Sequence, residues 1–249
     1  MYVTIYGRKI HFKKLGKGLP IIFIHGWGGD LYSLHKLAKI ASSQYTCYLL
    51  DLPGFGKSDQ PPPHWGIEGY ARLIEDFIKI ENINKPDYFG HSFGGEIGIY
   101  IASRCPDRIN RLILCGSAFK RSNKISKMAK MVQKLPLSLQ TFVDMVKPIL
   151  KTPYYRIFHR ESDILNFTHL EKNLRKILTQ DMTMEVFRIK AETLILWGEE
   201  DTYTPVLWAY ELEKNIANSK LYVFPGFGHA LPLLKPDLVW EKIKTFLSA

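Results

Sequence analysis

Five residues, Gly90-His91-Ser92-Phe93-Gly94, constrain this chain more than any other stretch. An apolar pair, Tyr88-Phe89, leads into them, and an apolar, helix-compatible run, Glu96-Ile97-Gly98-Ile99-Tyr100-Ile101-Ala102, leads out. Strand, sharp turn and helix, in that order, is the setting in which Gly-x-Ser-x-Gly presents a serine as a nucleophile. The turn forces Ser92 into a strained backbone conformation, and Cβ atoms at 90 and 94 would collide with it, so both flanks must be glycine. The helix starting behind Ser92 would point its first amides at whatever the serine attacks. Glycine and serine are common in loops, so the rest of the chain must decide whether the motif carries chemistry.

Strand and helix alternate on both sides of it. Residues 2–6 and 8–14 read as a hairpin turning at Gly7-Arg8. Pro20-Ile21-Ile22-Phe23-Ile24 is a continuous apolar run, the pattern of a parallel strand buried on both faces. It ends in His25-Gly26-Trp27-Gly28-Gly29-Asp30 and a helix with Leu31, Leu34, Leu37, Ala38 and Ala41 at helical spacing. Residues 45–50 are the next strand, ending in a Pro/Gly loop that starts at Asp51 and is prolonged by Pro61-Pro62-Pro63. Ile67, Tyr70, Leu73, Ile74, Phe77 and Ile78 mark an amphipathic helix, and residues 109–115 a strand after the elbow and its helix. Past Gly116-Ser117 the alternation stops, and only helices are expected, punctuated by Pro136, Pro148 and Pro153. It resumes with strands at 193–197 and 221–224 and helices at 205–217 and 236–248.

The expected fold class is therefore α/β: a mostly parallel, eight-stranded sheet with helices on both faces. Ligands in such sheets sit outside the carboxyl ends of the strands. Four loops with suggestive chemistry, 25–30, 90–94, 198–201 and 225–229, fall on that one edge. The helical insertion leaves from the same edge and would cover it. With 249 residues and 46% hydrophobic content the chain can fill one large core.

Composition excludes several classes. No apolar run is long enough for a transmembrane helix, and the N-terminus lacks a signal peptide's apolar core. Three scattered cysteines fit neither a disulfide framework nor a metal cluster, so neither metal nor cofactor is expected, and a reducing cytoplasm fits best. The net charge of +10 is concentrated: residues 118–190 hold fifteen Lys/Arg against six Asp/Glu. A nucleic-acid-binding domain would spread basic residues over its whole fold, so no nucleic-acid partner is expected.

A serine hydroxyl needs a base to take its proton. His229, in the Gly-rich loop after the last strand, is the candidate by loop, chain order and sheet edge. His11 and His35 read as exposed or half-buried, His64 lies in the Pro-rich loop, His159 and His169 in the insertion, and His91 should point away from Ser92. The base needs an acid to fix its tautomer. Asp201, after the penultimate strand, is preferred over Glu199 and Glu200, and an acid after the strand that follows the elbow is ruled out because those positions are Gly116-Ser117. Charge developing on a carbonyl oxygen would be met by the backbone amides of Phe93 and Trp27.

Taken with Asp51-Leu52-Pro53-Gly54-Phe55-Gly56-Lys57-Ser58-Asp59, these motifs resemble the α/β-hydrolase fold family, in its branch of small esterases and carbon–carbon hydrolases, over residues 1–117 and 191–249. The resemblance implies a helical cap, here residues 118–190, between the two halves of the core. Dehalogenases and epoxide hydrolases of the fold carry Asp at the nucleophile, which Ser92 does not match. Ring-cleavage carbon–carbon hydrolases carry Asn where this chain has His91. His25-Gly26-Trp27-Gly28 is similar to the pimeloyl-carrier-protein methyl ester esterases, which differ in having Trp before the serine.

Within the insertion, Ile125, Met128, Ala129, Val132 and Leu135 share one helical face, and Lys120, Lys124, Lys127, Lys130 and Lys134 the other. The lysines are either solvated or a docking surface for an anionic partner: an acyl carrier protein, an acidic metabolite or a membrane surface. Met128, Phe142 and Met145, with Trp27, are the expected substrate-binding residues of an apolar acyl pocket. The expected activity is hydrolysis of a small-molecule carboxylic ester through an acyl-enzyme. Thioesterase, lactonase, acyltransferase and carbon–carbon hydrolase activities share the same machinery. A ligand-binding protein of little turnover would have no need of Ser92, Asp201 and His229 together. Monomer and dimer stay open.

Overall fold

The computed structural model describes residues 1–121 and 167–248. Eight strands form one sheet: β1 (Tyr2–Ile5), β2 (Arg8–Leu15), β3 (Pro20–Ile24), β4 (Thr46–Leu50), β5 (Asp87–His91), β6 (Leu112–Cys115), β7 (Thr193–Gly198) and β8 (Ser219–Phe224). Their spatial order is β1-β2-β4-β3-β5-β6-β7-β8. The first two joins, β1 with β2 and β2 with β4, are antiparallel, and every join from β4 to β8 is parallel. The carboxyl ends of six strands therefore meet on one edge.

Helices cover both faces because the parallel strands alternate apolar side chains between two cores. Ile22 and Ile24 of β3, Tyr88 of β5 and Leu112 and Leu114 of β6 pack with α2 (Ile67–Ile80) and α3 (Phe93–Arg104). Ile21 and Phe23, Phe89, and Ile113 and Cys115 point the other way, onto α1 (His35–Ala41) and the C-terminal helix (Pro236–Leu247). The stripe Ile67, Tyr70, Leu73, Ile74, Phe77 and Ile78 is buried throughout, and this repeat is what makes residues 67–80 a helix on the sheet.

Of the boundaries that differ from expectation, three have a local cause. The hairpin turns at Tyr6-Gly7, both at positive φ (53° and 71°), and not at Gly7-Arg8. The helix after β3 opens as a 3-10 turn, Leu31–Leu34, because the Asp30 carboxylate accepts hydrogen bonds from the amides of Tyr32 and Ser33 and tightens the first turn. Strand β6 begins at Leu112, since the Asn110 amide donates to the Pro86 carbonyl and its side chain to Asp87, closing a loop there.

Of the 118–190 segment, the described part includes α4 (Glu171–Ile177) and α5 (Thr183–Val186). Its two ends lie side by side: Met182 donates its amide to the Phe119 carbonyl at 2.8 Å, and Arg121 its amide to Asp181 Oδ2 at 3.0 Å. The returning end sits on the Pro-rich loop, where Asn173 Nδ2 donates to the carbonyls of Pro62 and Trp65 and Gln180 Oε1 accepts the Ile67 amide at the start of α2. Met128, Phe142, Met145 and the lysine-bearing run 122–135 lie outside the described residues. Among the described residues no helix is long and apolar enough to cross a membrane.

Candidate active site

The elbow forms as its residues require. Ser92 joins β5 to α3 with φ 52° and ψ −115°, a strained conformation for a residue with a Cβ. A Cβ on Gly94 would lie 2.3 Å from the Ile24 carbonyl oxygen, and one on Gly90 would lie 2.5 Å from Gly94's carbonyl carbon. Only hydrogen fits at either place. The Ser92 amide donates to the Cys115 carbonyl at 3.0 Å, tying the elbow to the tip of β6.

Next to that tip lie the proposed base and acid. His229 Nδ1 donates to Asp201 Oδ2 at 2.7 Å. Asp201 is buried, whereas its rivals Glu199 and Glu200 are exposed. The strand-end positions without an acid, Gly116-Ser117, supply room: a Cβ on Gly116 would press within 3.2 Å of His229 Nδ1 and 3.3 Å of Asp201 Oδ2. Burial would raise the Asp201 carboxyl, but hydrogen bonds from His229 and Thr204 outweigh it and hold the carboxyl below its usual range. The ionised form is then the one folding selects. This contribution to stability is complete above the ordinary carboxylate range and is lost as pH falls through the depressed value. With Nδ1 donating to the carboxylate, Nε2 is left as the basic atom of the ring. Among the described residues no hydrogen bond joins Ser92 Oγ to His229; such bonds commonly tighten only when substrate binds.

The 25–30 loop approaches from the other side of the elbow, since a Cβ on Gly26 would lie 3.0 Å from Ser92 Cβ. Among the described residues neither the Trp27 amide nor the Phe93 amide donates a hydrogen bond, so both are available to an incoming oxygen. The Trp27 ring is held edge-on against Phe55 and Phe93, with centroids 5.1 and 5.5 Å apart.

Three supports of the site were not legible as such in the sequence. His25 is fully buried, and burial pushes its pKa down. Its Nδ1 donates to the Gly26 carbonyl at 2.7 Å while its Nε2 accepts the Leu52 amide at 3.0 Å, which locks the start of the 25–30 loop to the end of β4. Asp51 collects the Leu31 amide on Oδ1 (2.7 Å) and the Lys57 amide and His11 Nδ1 on Oδ2 (both 2.8 Å). His11 is therefore buried, correcting its reading as an exposed or half-buried residue: a carboxylate inside the loop gives the imidazole a partner. His91 turns toward the base. Its ring lies 4.9 Å from that of His229, and its Nε2 donates to the His229 carbonyl at 2.9 Å. Burial pushes the His91 ring down to about 3, so it is neutral, and the fold loses stability as pH drops below the ordinary histidine range.

A family model described as alpha/beta hydrolase fold matches residues 20–163. The chain is 26% identical over 265 aligned positions, 96% of this chain and 91% of the other, to the 2-hydroxy-6-oxononadienedioate/2-hydroxy-6-oxononatrienedioate hydrolase of Escherichia coli. Among solved structures, a bacterial membrane phospholipase A superposes with a TM-score of 0.80 at 22% identity, over 100% of this chain and 85% of that one. The enol-lactonase of Burkholderia xenovorans LB400 does so with a TM-score of 0.78 at 20% identity, over 100% of both. At such identities the solved structures show a shared fold.

Proposed function

The chain belongs to the α/β-hydrolase fold family, and on that premise we propose that it is a serine hydrolase cleaving carboxylic esters of small or medium acyl groups through an acyl-enzyme. The observation that carries this reading is the 2.7 Å bond from His229 to Asp201 at the same sheet edge as a serine held at φ 52°. In this mechanism Ser92 Oγ attacks the ester carbonyl as His229 Nε2 takes its proton, and Asp201 stabilises the imidazolium. The amides of Trp27 and Phe93 receive the oxyanion, each worth about 10²-fold or more. The tetrahedral intermediate collapses, the alcohol leaves with the proton from His229, and water then releases the acid by the same steps.

A second reading, carbon–carbon bond hydrolysis, draws support from the name of the Escherichia coli relative. It uses the same three side chains, so only substrates separate the two. The test is a panel of p-nitrophenyl esters of rising acyl length beside a 2-hydroxy-6-oxo-dienoate. Faster turnover of short-chain esters is expected, and turnover of the dienoate alone would overturn the ester reading in favour of the second.

The fifteen Lys/Arg against six Asp/Glu in residues 118–190 support docking of an acidic carrier protein. A carrier-bound ester belongs in the same panel. Preference for it over the free ester should fade as salt rises, and equal rates at low salt would remove the docking reading.

A further inference from the structure

Among the described residues, the side chain most closely engaged with the acid and base, after those two themselves, is Thr204. It lies three residues beyond Asp201 and is 4% exposed. Its hydroxyl is 2.8 Å from Asp201 Oδ2, the same oxygen that accepts from His229 Nδ1, and 3.3 Å from Nδ1 itself. The amides of Tyr203 and Thr204 hold the other carboxylate oxygen, Oδ1, at 2.9 and 2.8 Å. Those two amides already close the turn, so the turn has no need of the hydroxyl. A threonine hydroxyl has a single proton, and two acceptors are in reach: Asp201 Oδ2, and the Gly116 carbonyl at 3.2 Å. The carboxylate is the nearer and the charged one, and charged acceptors form the stronger bond. The backbone of Thr204 is itself fixed, because its carbonyl accepts the buried indole N–H of Trp197 at 2.8 Å.

We infer that Thr204 is a positioning residue for the hydrolysis: its hydroxyl holds Asp201 Oδ2 in line with His229 Nδ1–H and so keeps the base in the tautomer that can accept the serine proton. The inference rests on the reading of Asp201 and His229 as acid and base. Donation from Thr204 spreads the charge on Oδ2, which makes that oxygen less able to draw the proton fully off His229, and it fixes the second carboxylate oxygen as the two amides fix the first. Serine at this position preserves the donor; valine preserves the shape and removes it.

The test compares Thr204→Val and Thr204→Ser in p-nitrophenyl ester hydrolysis, with thermal midpoints measured alongside. Thr204→Val is expected to lose about tenfold in kcat with KM unchanged, the worth of one hydrogen bond to a charged group, while Thr204→Ser keeps most of the rate. The far-downfield proton resonance of His229 Nδ1–H should shift or broaden in the valine variant and stay in place in the serine variant. Where valine fails to fold, Thr204→Ala removes the hydroxyl without adding bulk and carries the same expectation. Wild-type kcat in the variants lacking the hydroxyl, or equal losses with and without it, would overturn the inference. Ser92→Ala run in the same assay separates the two levels: an inactive Ser92→Ala beside a fully active Thr204→Val removes Thr204 alone.

Discussion

Replacing Ser92 with alanine is expected to lower ester turnover by about 10³-fold or more, with little change in thermal midpoint. The two halves of that expectation have separate physical grounds. Among the described residues the Ser92 hydroxyl hydrogen bonds to no other group, so its removal leaves no buried partner unsatisfied. What holds the elbow is backbone: the Ser92 amide on the Cys115 carbonyl, and the Ser92 carbonyl accepting from the amides of Gly95 and Glu96 at 3.0 and 3.2 Å. Alanine keeps all of these and the strain at φ 52° as well. The loss is then chemical. On the proposed mechanism no acyl-enzyme forms without Oγ, and what rate is left comes from the amides of Trp27 and Phe93 and from binding alone. A large fall in midpoint would mean instead that the serine is part of the fold's support.

The second large effect lies behind the elbow. Glu96, in the first turn of α3, is 2% exposed and pairs with the Arg121 guanidinium. Burial pushes the Glu96 carboxyl up against the opposing pull of Arg121. The same guanidinium donates to the Ile177 carbonyl at 2.8 Å, so one side chain joins the serine's helix to both ends of the 118–190 segment. Without Arg121 the carboxyl, already pushed up by burial, is held neutral, so what is lost is the partner of a buried acid, at about 1–3 kcal/mol. Arg121→Met is therefore expected to lower the thermal midpoint by roughly 5 °C, at about 2–4 °C per kcal/mol for a chain of this size. Glu96→Leu combined with Arg121→Met should recover part of the loss, because an apolar pair leaves no buried carboxyl without a partner. The check is calorimetry of the single and double variants. A single variant as stable as the wild type would show that the pair contributes nothing net.

The sheet and its edge were readable because they rest on short-range rules. The unbroken run Pro20–Ile24 demanded a strand covered on both faces, and the structure divides its side chains between two cores. The glycines at 90 and 94 demanded a turn too tight for Cβ atoms, and a Cβ on Gly94 would lie 2.3 Å from the Ile24 carbonyl oxygen, where the end of β3 packs on that turn. What pattern could not convey was which side chains meet across long separations. His11 and Asp51 are forty residues apart, and only the antiparallel pairing of β2 with β4 brings them within 2.8 Å. His91 is expected to turn away from the serine; that it packs on the His229 ring depends on where the loop after β8 comes down beside the end of β6. Thr204 carries no motif at all, and its part is set by the two amides that bend residues 201–204 around the carboxylate. Met128, Phe142 and Met145 stay as proposals from composition, and with them the acyl length that the site accepts.

Ser92 Oγ is the atom proposed to become acylated, and intact-protein mass spectrometry after exposure to a fluorophosphonate tests this most directly. One adduct per chain, mapped by peptide analysis to Ser92 and formed in step with loss of ester hydrolysis, is the result expected. An unmodified, fully inhibited protein, or an adduct that persists in Ser92→Ala with equal loss of activity, would contradict it.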